Sequence, residues 1–497
     1  MNADLTRLAA EALSRGGIDG LPDGHFIDGA FVAARAGGSF ESVDPGTGKA
    51  FARFAAGDAD DVADAVSSAE RALAGPWGRM KPAERGRILT AAAALIRANA
   101  HRLAVAECLD VGKPIGEALG DVMGAARAFE YYAGAADKLE GETIPLGRDH
   151  FAFTVNEPVG VTAHIVPWNY PISTTARSLA PALAAGCTAV VKPAETTPAT
   201  ALMLAALLVE AGLPAGVVNV VTGFGGEAGA PLVAHPAVRH ITFTGSVATG
   251  QRVMKAAADT VTRLTLELGG KSPLVVLADA DLDAALEGVL GAIYENAGQI
   301  CSAGSRLVIE RSVHAAFVEK LVARAKALTI GHGLRNPQVG PVNSAAQLAK
   351  VEGFVEAAKA RGLAVATGGK RTTDPETGLG WFYEPTILDD LSADDPIVQE
   401  EIFGPVLAVQ VVDGFVAAVA AANGTAYGLV AGIYTRDLSQ ALAVARDVDV
   451  GQVYVNEYFA GGIEVPFGGN RLSGFGREKG LQAVTSYCKL KSVAVRL

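Results

Sequence analysis

The sequence predicts an α/β protein built on mainly parallel sheets, and three observations support that prediction. Between Val161 and Leu268, short apolar runs alternate with stretches that have helical periodicity. These runs are apolar at nearly every position, as expected of strands that are buried on both faces of a parallel sheet. Half of all residues are hydrophobic but only 6% are aromatic, which is typical of helices packed closely on sheets through small side chains.

The first predicted sheet takes its strands and helices in alternation along the chain. Its expected strands are VTAHIV, TAVV, VVNVV, HITF and RLTLEL. Helices are expected after Pro171, from about Pro198, in a short segment after VVNVV, and from about Ser246. Ligands of such sheets bind beyond the carboxyl ends of the strands, so polar residues at those ends are candidates for a site.

The pattern starts again at Gly269 and predicts a second α/β unit that extends to about Gly480. Its expected strands are PLVVL, RLVIE, VLAVQVV, LVAGIYT and GQVYVN, with a helix over Leu282 to Tyr294. A chain of 497 residues exceeds what one hydrophobic core usually serves, so two domains with a cleft between them are expected.

A separate pair of strands is predicted outside both sheets. SYCKLKSVAVRL at 486–497 alternates as an exposed strand does, and FAFTVNEP at 151–158 is its expected partner. Strands in this position predict an oligomerisation arm.

Charge and cysteine usage exclude several classes of protein. The net charge of -11 comes without a basic patch, which argues against nucleic-acid binding. The four cysteines lie far apart without CxxC spacing, and the histidines form no HxxxH or HExxH pattern, so neither disulfides nor a metal site is predicted. The N-terminal stretch lacks an export signal and no apolar run reaches the ~18 to 20 residues that span a bilayer, so a cytoplasmic protein without membrane segments is expected.

Two residues are candidates for covalent and acid–base chemistry. Cys301 lies in NAGQICSAGSR, a Gly- and Ser-rich loop that can expose a thiol, although a free cysteine more often only packs in a core. Glu267 ends RLTLEL and is followed by two glycines that leave the backbone open to a ligand, which suits a general base. A solvated glutamate at the end of a strand explains its position equally well.

Three further motifs follow strands of the first predicted sheet. Asn169 in PWNYP has an amide that can donate to an oxyanion, but turns also favour asparagine. TGSVATG at 244–250 offers N–H groups to a phosphate at a helix start, or is a packing turn. KPAE at 192–195 supplies a carboxylate that suits ribose hydroxyls, or is a charged loop.

Together with QEEIFGPV at 399–406 and PFGGNRLSGFGREKG at 466–480, these motifs resemble the aldehyde dehydrogenase superfamily over essentially the whole chain. The most specific feature is ELGGKSP, whose glutamate precedes the cysteine of GQIC by 34 positions. The resemblance implies a Rossmann-type cofactor domain (1–137 and 157–268), an α/β catalytic domain (269–480) and a small oligomerisation arm (138–156 and 481–497). A homodimer or homotetramer is expected.

The resemblance also implies a mechanism. Cys301 attacks the aldehyde, Asn169 and the Cys301 backbone N–H hold the oxyanion, and hydride leaves to a nicotinamide cofactor. Glu267 then activates the water that hydrolyses the thioester. Glu478 matches a glutamate of a proton path, but the lysine that usually partners it is replaced here by Ser178.

The same resemblance implies a set of cofactor-binding residues. Lys192 and Glu195 would bind the adenosine ribose, Ser246 the pyrophosphate and Glu401 the nicotinamide ribose, with Phe403 beside the nicotinamide. The other implied cofactor residues are Ile165, Pro167, Trp168, Gly225, Thr244, Gly245, Gly250 and Leu268. The carboxylate of Glu195 would repel a 2′-phosphate, which favours NAD over NADP, although Lys192 could compensate for it.

The sequence constrains the substrate less than it constrains the reaction. Arg177 stands where semialdehyde-oxidising relatives carry an arginine, so an anionic semialdehyde is expected; the alternative is an arginine that is paired with an acid or turned to solvent. Tyr170 and Tyr458 are expected tunnel walls, and Glu457 would instead suit a cationic aldehyde. A neutral aliphatic or aromatic aldehyde is the alternative substrate.

Three rival functions remain open. An acylating enzyme that uses CoA is disfavoured because Glu267 is present, and an NADP-preferring enzyme is disfavoured by Glu195. A non-enzymatic role for the fold is disfavoured because a binding protein has no need of Cys301, Glu267 and Asn169 together.

Overall fold

The computed structural model describes residues 3–497 and contains two large sheets, each flanked by helices. Residues 1 and 2, which begin both the predicted domain 1–137 and the stretch considered for export, lie outside the described residues. Within residues 3–497, no helix is both long enough and apolar enough to cross a membrane.

The first part of the chain is mostly helical. Its helices are α1 (Ala3–Arg15), α2 (Ala59–Ala74), α3 (Pro76–Arg79), α4 (Pro82–Ala98), α5 (Ala100–Val111) and α6 (Ile115–Ala135). Its strands are β1 (His25–Ile27), β2 (Ala30–Val32), β3 (Ser39–Asp44) and β4 (Lys49–Ala55). Asp58 caps the start of α2 by accepting from the N–H groups of Asp60 and Asp61, so a local signal fixes where this helix begins.

The first sheet confirms the predicted alternation. Its parallel strands are β7 (Val161–Ile165), β8 (Thr188–Lys192), β9 (Val218–Val220), β10 (Val238–Thr244) and β11 (Arg263–Glu267). The helices between them are α7 (Pro171–Ala185), α8 (Ala199–Glu210), α9 (Ala230–Ala234) and α10 (Val247–Thr260), with a π-helical turn at Gly225–Gly229 before α9. The spatial order is β2-β1-β9-β8-β7-β10-β11-β23, where β23 is Gly474–Phe475.

The second sheet has the order β14-β17-β18-β13-β12-β20-β21. Its strands are β12 (Pro273–Val276), β13 (Arg306–Glu310), β14 (Val365–Thr367), β17 (Thr386–Leu388), β18 (Val406–Val412), β20 (Val430–Tyr434) and β21 (Gln452–Val455). The helices around it are α11 (Leu282–Tyr294), α12 (Arg311–Lys326), α13 (Ala345–Ala360), α14 (Pro396–Gln399), α15 (Gly414–Ala422) and α16 (Leu438–Asp447). The smaller elements are β15 (Arg371–Thr372), β16 (Phe382–Tyr383), β19 (Tyr427–Gly428), β22 (Asn470–Arg471) and α17 (Gln482–Ser486).

The predicted outlying strands do pair with each other. β24 (Cys488–Arg496) runs antiparallel to β6 (His150–Pro158) in continuous register, and β5 (Thr143–Ile144) adds a third strand. Phe151 and Leu490 on these strands are 46% and 64% exposed. Oligomerisation through this arm stays a prediction.

The segment that carries PFGGNRLSGFGREKG connects the two sheets. Its strand β23 pairs antiparallel with β11, so a part of the chain beyond residue 269 completes the edge of the first sheet. This pairing brings the end of β11, where Glu267 lies, against residues from near position 478. The domain boundaries given above stay a prediction.

Candidate active site

One cavity of about 380 Å³ lies at the carboxyl ends of β7, β8, β10 and β11, as the rule for parallel sheets leads us to expect. Residues of the second unit close its other side. The sequence-predicted residues that line it are Ile165, Pro167, Trp168, Asn169, Tyr170, Arg177, Lys192, Glu195, Gly225, Thr244, Gly245, Ser246, Glu267, Cys301, Glu401 and Phe403. Residues more than 230 positions apart in sequence therefore meet around one space.

The loop before Cys301 is locally strained. Cys301 is partly exposed, whereas the other three cysteines are buried. Asn296, Ala297 and Gly298, which precede it, have φ angles of 46°, 53° and 74°, a left-handed conformation that is costly for residues with a side chain. A side chain at Gly298 would collide with the carbonyl oxygen of Gly404. Strain of this kind is common where a reactive group must be held in place.

Hydrogen bonds join this turn to Asn169. The Asn296 side-chain amide donates to the Asn169 carbonyl at 3.1 Å, and Asn169 Nδ2 donates to the Gln299 carbonyl at 2.8 Å. Glu117 of α6 accepts from the Asn296 backbone N–H at 3.0 Å. Because a side-chain amide carries two N–H donors, Asn169 keeps one of them for a ligand.

Two carboxylates of α5 position the helices that follow the site loops. Glu107 accepts from the Ile172 N–H in the first turn of α7 and from Thr200 Oγ1 at 2.6 Å. Asp110 accepts from the Ala199 N–H at the start of α8 at 2.8 Å and from Ser42 Oγ at 2.9 Å. Both acids thus satisfy donors that a helix leaves unpaired at its N-terminus.

Glu267 is also a buried acid, but unlike Glu107 and Asp110 it receives no hydrogen bond from the described residues. It is only 1% exposed, and neither of its oxygens has a hydrogen-bond partner among residues 3–497. Burial, with the nearby Glu478 adding to it, raises the pKa of Glu267 well above its ordinary value, while Arg177 opposes the shift. A carboxyl group in this state binds a proton tightly and has both oxygens available to water.

Glu478 lies behind Glu267 and pairs with Arg177. Its Oε2 accepts from Arg177 Nε, and its Oε1 has no partner in the described part of the chain. Glu478 does not itself line the cavity, whereas Arg177 does. The pair matches the alternative that the sequence left open, an arginine next to an acid.

Burial and charges of both signs act on the Cys301 thiol. Burial raises the pKa of Cys301 to about 11, and Arg177 acts against that shift. Arg177 and Lys479 each lie 5.3 Å from the ring centre of Phe467. Burial and the charge of Arg177 lower the pKa of Lys479 to about 8. Arg177 favours a thiolate, but burial dominates, and the carboxyl groups of Glu267 and Glu401 add to its effect.

The opposite end of the cavity carries the predicted ribose residues. Lys192 Nζ donates to Glu195 Oε2 at 3.3 Å; the lysine side chain is 4% exposed and the glutamate side chain 43%. Ser246 caps α10, and its Oγ accepts from the Thr249 N–H at 3.3 Å. A carboxylate and the start of a helix therefore face the same space.

Glu401 and Phe403 approach the cavity from the second unit. Glu401 Oε1 accepts from the Gly270 N–H at 3.0 Å. Phe403 has a φ of 63° and meets the Trp168 ring edge-on at 5.2 Å. Gln347 Nε2 donates to the Phe403 carbonyl at 2.8 Å and holds this strained residue. Gln347 lines the cavity but belongs to no motif, so it could not be found from the sequence.

Three other predicted residues lie outside the cavity lining: Gly250, Leu268 and Tyr458. Gly250 packs so closely against Leu268 that a side chain at position 250 would overlap it, which indicates a role in joining α10 to the sheet. Tyr458 donates to the Ser302 carbonyl at 2.9 Å, so it contacts the loop that carries Cys301. Gly250 and Leu268 therefore support the site through packing, and Tyr458 supports it through a hydrogen bond.

Comparisons with known proteins agree with this geometry. The model of the "Aldehyde dehydrogenase family" matches residues 31–493. Hydroxyisobutyraldehyde dehydrogenase of Mycolicibacterium austroafricanum is 42% identical over 473 residues, which cover 95% of this chain and 93% of that protein.

Two solved structures extend the comparison to the fold. A point mutant of betaine aldehyde dehydrogenase from Staphylococcus aureus, in complex with NAD+, has a TM-score of 0.94 at 36% identity and covers 96% of this chain and 98% of its own. A mutant indole-3-acetaldehyde dehydrogenase of P. syringae, in complex with NAD+ and IAA, has a TM-score of 0.95 at 40% identity and covers 100% and 99%. The chain therefore belongs to the aldehyde dehydrogenase family and is an NAD(P)-dependent aldehyde oxidoreductase.

Proposed function

We propose that this chain oxidises an aldehyde to the carboxylic acid with NAD, through a thioester on Cys301. The observation that carries the proposal is the lining of one cavity by a partly exposed thiol, an amide donor and a buried, unpartnered carboxyl group. These are Cys301, Asn169 and Glu267, the three groups that addition to a carbonyl followed by hydrolysis requires.

The residues around the cavity fit a dinucleotide. The main cavity adjoins a slot of about 330 Å³ between the Gly225–Gly229 turn with α9 on one side and α10 on the other, and both spaces are lined by Lys192 and Gly225. We assign the adenosine half to the slot and the nicotinamide half to the space beside Glu401 and Phe403. The two solved structures described above are both in complex with NAD+. Glu195 would repel a 2′-phosphate, which favours NAD; NADP is the alternative.

The chemical step begins at Cys301. The Cys301 thiol first transfers its proton to solvent; its sulfur then attacks the aldehyde carbon, and the carbonyl oxygen becomes an oxyanion. The remaining N–H of the Asn169 amide and the backbone N–H of Cys301 donate to that oxygen. The bound cofactor supplies the hydride acceptor for the collapse of this adduct to a thioester.

Glu267 carries out the second half of the reaction. In its ionised form, Glu267 binds a water through its unpartnered oxygens and takes a proton from it, and the resulting hydroxide attacks the thioester carbonyl. The acid leaves and the Cys301 thiolate returns. Ser178 cannot supply the cation that usually partners Glu478, and the neighbouring Arg177 supplies it instead. With Glu267 in this position, water is the expected acyl acceptor and CoA the less favoured one.

An anionic semialdehyde is the proposed substrate class. The Arg177–Glu478 pair is neutral as a unit, but Lys479 adds a further positive charge beside the same Phe467 ring. An anionic group on the substrate would balance that excess. A neutral aldehyde is the alternative, because the ion pair already occupies one edge of the Arg177 guanidinium.

A panel of aldehydes tests the reaction. NADH formation should require no CoA and should vanish in Cys301→Ala, while Cys488→Ala, which removes a buried cysteine away from the cavity, should retain it. Activity that survives in Cys301→Ala would contradict the thioester mechanism. Product formation only with added CoA would point to the acylating alternative.

Arg177→Ala tests the substrate class. Comparing kcat/KM for succinic semialdehyde and for a neutral aldehyde of similar length should reveal a loss confined to the anion. An equal loss for both substrates would assign Arg177 to the Glu478 pair alone.

We also propose an even-numbered homo-oligomer, a dimer or tetramer, assembled through the arm of β5, β6 and β24. The exposed Phe151 and Leu490 on that arm support the proposal. A monomeric mass in light scattering would contradict it.

A further inference from the structure

We propose that Arg252 recognises the adenine base of the cofactor by laying its planar guanidinium group against the ring in the slot between α9 and α10. This inference rests on the proposed function, because it requires the adenosine half of NAD to enter that slot. It assigns a role in cofactor affinity to a residue that none of the sequence motifs singled out.

The slot has an apolar lining that suits a flat ring. Ala230 and Val233 line one wall, and Val253 and Ala256 line the other. Its mouth meets the main cavity at Lys192, beside the Lys192–Glu195 pair that is proposed to hold the ribose. A base attached to that ribose has this apolar space within reach.

Arg252 belongs to the face of α10 that lines the slot. Thr249, Arg252, Val253 and Ala256 are spaced at i, i+3, i+4 and i+7, which places them on one side of the helix, and all four line the slot. The three others are uncharged. Arg252 is therefore the one charged group that this helix presents to the space.

The guanidinium of Arg252 is not committed elsewhere. Within residues 3–497 it makes no ion pair and no side-chain hydrogen bond, and the residue is exposed. The other cation that lines the slot, Lys192, is paired with Glu195. An exposed arginine on the rim of an apolar slot is thus free to close over a ligand.

Adenine is the part of the cofactor that suits this arrangement. The base is flat, aromatic and uncharged, so it fits between apolar walls, and its π face attracts a guanidinium plane. Arginine stacks on such rings as well as attracting them electrostatically, whereas the ammonium group of lysine offers only a point charge. The proposal therefore predicts that lysine cannot replace Arg252.

Direct binding measurements on the full chain test the proposal without turnover. Isothermal titration with AMP and with ADP-ribose should show affinities about three- to tenfold weaker in Arg252→Leu, the size expected of one stacked cation. Arg252→Lys should show a similar loss. Nicotinamide mononucleotide, which lacks the base, should bind all variants equally.

Lys255→Leu is the matched control. Lys255 lies on the same helix and is exposed, but it does not line the slot, so its removal changes the net charge equally. A loss of affinity in this control equal to that in Arg252→Leu would overturn the proposal in favour of general electrostatic attraction.

Three other results would also overturn the assignment. Unchanged AMP affinity in Arg252→Leu would remove Arg252 from recognition of the base. A loss confined to NADP and other ligands with a 2′-phosphate would make Arg252 a phosphate residue. Failure of the wild-type chain to bind AMP or ADP-ribose at all, while NADH formation persists, would refute the slot as the adenosine site and leave the catalytic proposal intact.

Discussion

Two pairs of buried acids, Glu107 with Asp110 on α5 and Glu267 with Glu478 beside the thiol, show how differently a protein can treat the same group. Burial raises the pKa of Glu107, Asp110 and Glu267. The α5 acids have hydrogen-bond donors on their oxygens, from the first turns of α7 and α8 and from nearby hydroxyls. Glu267 has none among residues 3–497.

The presence or absence of hydrogen-bond donors distinguishes a carboxyl group that stabilises the fold from one that can take part in a reaction. An acid whose oxygens are all engaged stabilises the groups that donate to it and has nothing left for a substrate. An acid with unengaged oxygens contributes little to stability and is available to water. A raised pKa alone does not distinguish the two, and the hydrogen-bond partners do.

The largest expected effect is that of Glu267→Gln on turnover. The amide keeps the size of the side chain but cannot take a proton, so kcat should fall by about 100-fold or more. Thermal stability should not fall, because the carboxyl group has no partners to lose in the described residues.

Rapid mixing then separates the two half-reactions of this variant. A burst of NADH of about one equivalent per active site, followed by slow turnover, is expected if only hydrolysis is impaired. Undiminished steady-state turnover would show that Glu267 is not the general base.

Glu107→Ala should have the next largest effect, which is a loss of stability. It leaves the Ile172 N–H and the Thr200 hydroxyl without their acceptor, at about 1 to 3 kcal/mol for each buried donor. The free energy of unfolding should therefore fall by about 2 to 6 kcal/mol, measured by denaturant titration at fixed protein concentration. Glu107→Gln, which retains an accepting oxygen, is the control and should lose less; equal losses would argue against these hydrogen bonds as the cause.

Asp110→Asn should change how stability depends on pH. Burial raises the pKa of Asp110 from 3.8 to about 7, so between these values the unfolded chain releases a proton that the folded chain keeps. The stabilising contribution is complete below the lower value and is lost as the pH rises through the upper one. The asparagine variant should lose this slope, which is about 1.4 kcal/mol per pH unit at most.

The measurement for Asp110 is a series of unfolding curves across that window. Because the asparagine oxygen can still accept from the Ala199 N–H, the variant should fold normally. Identical slopes in the two proteins would show that Asp110 does not hold its proton in the folded state.

Gln347→Leu should have the smallest effect, which is a higher KM for the cofactor. It removes the donor to the Ile402 and Phe403 carbonyls and releases the strained Phe403, so the KM for NAD should rise about three- to tenfold with little change in kcat. Gln399→Leu is the control, since Gln399 also donates to two carbonyls but does not line the cavity. A KM that is equal in both variants and the wild type would exclude a role for Gln347 in holding Phe403.

The sequence predicted those parts of the molecule in which neighbouring residues carry the information. The parallel strands and the helix Leu282–Tyr294 follow from local periodicity, and the structure confirms them. Cys301, Glu267 and Asn169 were found because short motifs surround them, and they do line one cavity.

The parts that the sequence did not predict depend on contacts between distant residues. Nothing near Glu107 indicates that it bonds the start of a helix 65 positions later. The pairing of Arg177 with Glu478 joins residues 301 positions apart, and Glu478 follows closely on β23, which crosses to the first sheet. Tyr458 was expected in a tunnel wall, but its hydroxyl bonds the Ser302 carbonyl, a preference that side-chain type alone cannot reveal.

The left-handed turn before Cys301 has a consequence for which mutations the chain can accumulate. Gly298 needs both its positive φ and the absence of a side chain, whereas Gly291, on α11 a few residues earlier, has open space around it. In a library of random variants selected for activity, position 291 should accept many amino acids and position 298 almost none. Sequence drift around the nucleophile is therefore limited by backbone shape as well as by the chemistry of the thiol.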